Sequence, residues 1–136
     1  MKMTTRRVLA ALGLAIATTL VPAGSADAVW SGTATCNGTY VKTVRWDGAY
    51  HVNPTSVGRQ AARYATASAW AEATRCMSPV PLSQSVINSL YTQFQCHAHM
   101  SAGAFGYYSG GAEWDLETYR PATTNWWTWV RNKCNW

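Results

Sequence analysis

The chain has 136 residues, eleven Lys or Arg against six Asp or Glu, and a formal net charge of +5. That length limits it to one or two small domains. From Val29 onward the basic residues fall singly, without the runs or stripes that track a phosphate backbone, so no nucleic-acid partner is expected.

Lys2, Arg6 and Arg7 precede an apolar run from Val8 to Val21, and Ala26-Asp27-Ala28 follows as a small-x-small cleavage site. The run is too short and too rich in alanine for a stable span. Residues 1–28 are therefore expected to be an export signal and residues 29–136 a secreted domain that is not membrane-embedded. Arg6-Arg7 is compatible with either general or twin-arginine export. In the mature part eight basic residues face five acidic ones, a net charge of +3 that favours solubility. Cys36, Cys76, Cys96 and Cys134 all lie there. An even count in a small exported chain predicts two disulfides, each contributing about 2–4 kcal/mol. Four cysteines allow three pairings, and their spacing does not choose among them.

Trp30 to Thr39, rich in small polar residues, is expected to be loose and pinned at Cys36. Tyr40 to Trp46 alternates, with Tyr40, Lys42, Val44 and Trp46 on one face and Val41, Thr43 and Arg45 on the other. Asp47-Gly48 predicts a two-residue hairpin turn flanked by Trp46 and Ala49, with a return strand to Val52. Thr55 or Ser56 caps an alanine-rich helix over Val57–Cys76, whose stripe is Val57, Ala61, Tyr64, Ser68 and Ala71. Two prolines within Met77–Pro81 break it. Ser83 caps a second helix, in which Val86, Ile87, Leu90, Tyr91 and Phe94 recur with helical period up to Cys96 and make the strongest core candidates. Ser101 to Gly111 is a glycine-rich loop with three aromatic rings. Glu113 to Tyr119 alternates again, with Trp114, Leu116 and Thr118 on one face, and Pro121 stops it. Thr123 or Thr124 caps a short last helix, with Trp126, Trp127, Val130 and Cys134 on one face and Trp129, Arg131 and Lys133 elsewhere. The fold class expected is α+β: a single disulfide-stapled domain with a short antiparallel sheet against two or three helices.

Eight Trp, seven Tyr and two Phe, all in the mature part, are more rings than so small a domain hides. They point to a non-enzymatic binding or adaptor module that engages another secreted protein through Tyr107, Tyr108, Trp126, Trp127 and Trp129. A second reading is a carbohydrate or cell-wall glycan binder, in which Trp faces stack on sugars. A third is a small ribonuclease-like hydrolase with His97 as acid, Glu72 or Glu117 as base, and Arg59 and Arg120 against the phosphate. The ordinary alternative makes His97 structural and Glu117–Arg120 an ion pair fixing the Pro121 turn. His97 and His99 diverge by about 200° on a helix and His51 sits on a separate strand, so no metal is expected, nor any cofactor.

Several stretches resemble DUF2599, a family of small exported actinobacterial domains of unknown function. They are His51-Val52-Asn53-Pro54-Thr55 with Gly58-Arg59, then Ala69-Trp70-Ala71-Glu72 and Gln93-Phe94-Gln95-Cys96-His97. The last two are Glu113 to Pro121, similar to a W-N-L-E-x-x-R-P signature with Asp115 at the Asn, and Cys134-Asn135. The resemblance covers most of the mature chain and implies no activity. It does imply a pairing of Cys96 with Cys134, which leaves Cys36 for Cys76. Asp115, Glu117, Arg120 and Pro121, all in the matched Glu113 to Pro121 stretch, are expected to be structural. An accessory subunit of an extracellular antibacterial toxin complex is one concrete form of the adaptor reading for such an origin.

Overall fold

The computed structural model describes residues 32–77, 81–101 and 111–136, so the export signal expected over residues 1–28, Tyr107 and Tyr108 lie outside the described residues. Four strands, β1 (Gly32–Thr35), β2 (Val41–Trp46), β3 (Tyr50–Pro54) and β4 (Trp114–Leu116), form one antiparallel sheet in that order. Four helices, α1 (Ser56–Ala61), α2 (Thr66–Cys76), α3 (Gln84–Ser101) and α4 (Trp126–Asn132), complete an α+β domain. One face of the sheet gives Val41, Val44, Tyr50, Val52, Trp114 and Leu116 to the core, where they meet Ala62, Ala69, Ala73, Leu90, Phe94 and Ala98. Each large apolar side chain buried there contributes about 1.5–3 kcal/mol. Disulfides join Cys36 to Cys76 and Cys96 to Cys134, the pairing that the resemblance implies.

The hairpin forms where alternation predicts it, with two corrections. Trp46 pairs with Tyr50, so the loop has three residues, and Gly48 supplies the positive φ of 113°. A register shift between Val41 and Thr43 puts both Val41 and Val44 into the core, which strict alternation assigned to opposite faces. Gly32–Thr35, expected to be loose, is an edge strand whose Thr33 and Thr35 point outward. The connection from β1 to β2 is held by α2. The Glu72 carboxylate accepts the backbone N–H groups of Thr39, Tyr40 and Val41 at 3.0, 2.7 and 3.0 Å, and Cys76, one turn on, bonds Cys36.

Thr55 caps α1 by accepting the Gly58 N–H at 2.9 Å. The predicted continuous helix then breaks at a 3-10 turn, Ala62–Tyr64, followed by Ala65 at φ −131°, ψ 39°. The break changes the helical phase. Gly58, Ala62, Ala69 and Ala73 are buried, while Tyr64, assigned to the apolar stripe, is exposed. Alanine-rich propensity is overruled here by packing, because α1 follows β3 and α2 lies against β2.

Ser83 caps α3 as predicted, its hydroxyl accepting the Val86 N–H at 3.3 Å, and the helix runs on through Cys96 to Ser101. Leu90 and Phe94 are fully buried on the sheet side. A second, polar stripe (Ser89, Thr92, Gln93) is buried as well. It pairs with the irregular chain after β4: Ser89 donates to the Arg120 carbonyl, and Thr92 accepts from the Thr123 N–H at 3.4 Å. Asn125, not Thr123 or Thr124, caps α4 by accepting the Thr128 N–H at 3.1 Å.

Candidate functional site

The hydrolase candidates are each engaged in a different structural contact. His97 is 3% exposed, and its Nε2 donates to the Asp115 carbonyl at 3.2 Å, which leaves Nδ1 as a buried acceptor without a partner among the described residues. Glu72 holds the β1–β2 connection; despite some burial, its bonds from the Tyr40, Thr39 and Val41 amides keep its carboxyl below the usual range. Glu117 pairs with Arg120, whose Nη1 also reaches the Cys134 carbonyl at 3.4 Å. That ion pair lies just before Pro121, whose carbonyl accepts the Trp136 indole N–H at 2.9 Å. Arg59 donates to the carbonyls of Gly111, at 2.8 Å, and Ala112.

Burial pushes the His97 imidazole down to about 4, more than the Asp115 carbonyl raises it. An unfolded histidine titrates near 6.5, so on acidification the unfolded chain takes up its proton first. The stability associated with neutral His97 is complete above about pH 6.5 and falls by about 3 kcal/mol as pH drops to about 4. His97→Gln is expected to flatten denaturant midpoints measured across that window. An unchanged slope in the variant would assign the acid sensitivity to another group.

The aromatic candidates divide. Trp129 is 7% exposed, donates its indole N–H to the Thr123 carbonyl at 2.9 Å, and packs with Cys96, Met100 and Cys134. Trp127 is 74% exposed, Val130 41% and Trp126 40%. The predicted face of α4 is thus inverted. Lys133 and Cys134 both adopt positive φ, so Cys134 turns back under the helix and does not continue its period. The ring of His99, in the last turn of α3, lies 6.1 Å from that of Trp129, so the buried side of α4 packs against the end of α3.

A third constellation lies on the outer face of the sheet. Arg45, His51 and Asp115 are direct partners across β2, β3 and β4. His51 Nδ1 lies 2.6 Å from Asp115 Oδ1 and Nε2 lies 2.7 Å from Asp47 Oδ1. Carboxylates only accept, so both ring nitrogens carry protons and His51 is a cation in this arrangement. Burial lowers its pKa, but the bonds to Asp47 and Asp115 outweigh that and raise it. His51, followed by Arg45, holds the Asp47 carboxyl below its usual range. Arg45 also bonds Glu113 at 3.1 Å. Arg45, His51, Glu113 and Asp115, with Asn53, Arg59, Gly111 and Ala112, line an open trough of about 620 Å³. Sequence reasoning missed the cluster because its two halves are 64 residues apart and the β3–β4 pairing that joins them has no local signal. What local signal exists is the alternation itself, which sets His51 and Asn53 opposite Tyr50 and Val52, and Asp115 opposite Trp114 and Leu116.

Among the described residues no helix is long and apolar enough to cross a membrane. No curated protein and no solved structure matches the chain. A family model described as "Protein of unknown function (DUF2599)" matches residues 35–136, from just before the first disulfide to the final tryptophan, and the chain belongs to that family.

Proposed function

We propose that the protein is an exported, non-enzymatic binding module that engages another extracellular protein through the outer side of α4. The observation that carries this reading is the orientation of that helix. Trp129 and the Cys96–Cys134 bridge anchor it from beneath, and Trp127 stands 74% exposed beside Val130 on the other side. A rigid helix with a projecting indole suits recognition, since tryptophans seated in a partner's pocket are typical binding hot spots. The two disulfides fit a chain that matures in an oxidising compartment, as the export signal read from residues 1–28 requires.

Trp127→Ala is expected to leave the fold intact and to weaken capture of the partner about 30-fold, or about 2 kcal/mol. The check is co-purification of the exported full chain from culture medium, with titration of whichever exported protein elutes with it in fixed stoichiometry. Elution of the wild type as a bare monomer, retention on peptidoglycan in place of a protein, or equal capture by the variant would each count against the proposal.

A further inference from the structure

We infer that His51, Glu113 and Asp115 form a binding site for one divalent transition-metal ion, zinc foremost, on the outer face of the sheet. His51 Nδ1 and one carboxylate oxygen from each acid all lie within 4.8 Å of one another. Nδ1 is 2.6 Å from Asp115 Oδ1 and 3.9 Å from Glu113 Oε2. Tetrahedral zinc with bonds of 2.0–2.2 Å sets its ligand atoms about 3.3 Å apart, so the two spacings bracket the required one. Both acids are half-exposed, and their carboxylates have room to rotate into place.

Charge supports the same assignment. A neutral imidazole with two carboxylates presents two negative charges to a dication, and this mix of nitrogen and oxygen donors suits zinc better than calcium or magnesium. The arrangement around the imidazole supplies a further argument. His51 Nε2 bonds Asp47, the carboxylate–histidine pairing that orients metal-ligating imidazoles and leaves the other nitrogen for the ion. Binding would displace the Nδ1 proton to solvent. Arg45 bonds both Glu113 and Asp47, so it can release the first and stay paired with the second. His51 and Asp115 are direct cross-strand partners, which holds two of the three ligands on paired strands rather than on loops. Three protein donors leave at least one coordination position for water or a ligand from the trough.

The test uses the full mature chain with both disulfides intact, stripped of metal with a chelator and titrated with zinc chloride in a calorimeter. One zinc per chain is expected. His51→Gln and Asp115→Asn should weaken it at least about tenfold, and Asp47→Asn about 10–100-fold by loosening the imidazole. His99→Gln, which removes a histidine outside the cluster, should change nothing. Circular dichroism checks each fold, and if His51→Gln fails to fold, Glu113→Gln on the exposed side decides. No saturable uptake by the wild type, full uptake by His51→Gln or Glu113→Gln, or equal loss in His99→Gln would overturn the assignment and leave a plain cross-strand ion ladder.

Discussion

Gly58→Ala is expected to cost about 3 kcal/mol or more, a large share of the net stability of a domain this size. Gly58 is buried in the first turn of α1, against the Tyr40 carbonyl. A methyl group there would overlap that oxygen, which accepts the Thr55 N–H at 2.9 Å, and would press on Pro54 Cβ at 3.1 Å. Tyr40 has little freedom to retreat, because its own N–H is held by Glu72 at 2.7 Å within the segment tied down by Cys36–Cys76. Gly48→Ala is the control. Its φ of +113° strains a side chain, but nothing lies within 4 Å, so the expected loss is about 1–2 kcal/mol. Guanidinium unfolding followed by tryptophan fluorescence, with disulfides intact, measures both. A Gly58→Ala protein as stable as Gly48→Ala would show that β2 can shift to make room.

Gln93→Leu is expected to lose about 2–5 kcal/mol, because it strands two main-chain groups. The fully buried Gln93 carboxamide accepts the Glu117 N–H at 2.8 Å and donates to the Glu117 carbonyl at 2.9 Å, as a neighbouring peptide group would. It also donates to Ser89 Oγ at 3.1 Å. A helix side chain thus extends the pairing of β4 by one residue and positions the turn that carries Glu117–Arg120. Leucine fills similar volume but satisfies neither group. Denaturant unfolding gives the loss, and hydrogen exchange at the Glu117 amide should accelerate in parallel. A loss below about 1 kcal/mol would mean that water reaches Glu117 in the variant.

What was legible in the residues was what local pattern controls. Alternation and Asp47-Gly48 locate the β2–β3 hairpin, the period of Val86, Leu90 and Phe94 locates α3, and Trp114 and Leu116 locate β4. The break at Ala62–Ala65 was not legible, since no proline or glycine marks it and its cause is the docking of α1 and α2 on different strands. The buried polar stripe of α3 was hidden because Ser89, Thr92 and Gln93 look like a solvated face until the chain after β4 is laid against them. On α4, phasing Cys134 with Trp126 and Trp127 assumed that the helix reached the cysteine, whereas it ends at Asn132. The trough required pairing strands far apart in the chain, a tertiary fact that no single segment encodes.

The cross-links also set how the polypeptide is partitioned. Residues 36–76 form one covalent ring and residues 96–134 another, in series and without overlap. Each ring therefore closes within its own half of the chain, and the first needs no cysteine of the second. The series arrangement also makes cleavage asymmetric. A nick between residues 102 and 110 would leave both pieces tethered, whereas one between residues 78 and 80 would leave the two rings held together by noncovalent contacts, among them the β3–β4 ladder and the packing of α1 and α2 on α3.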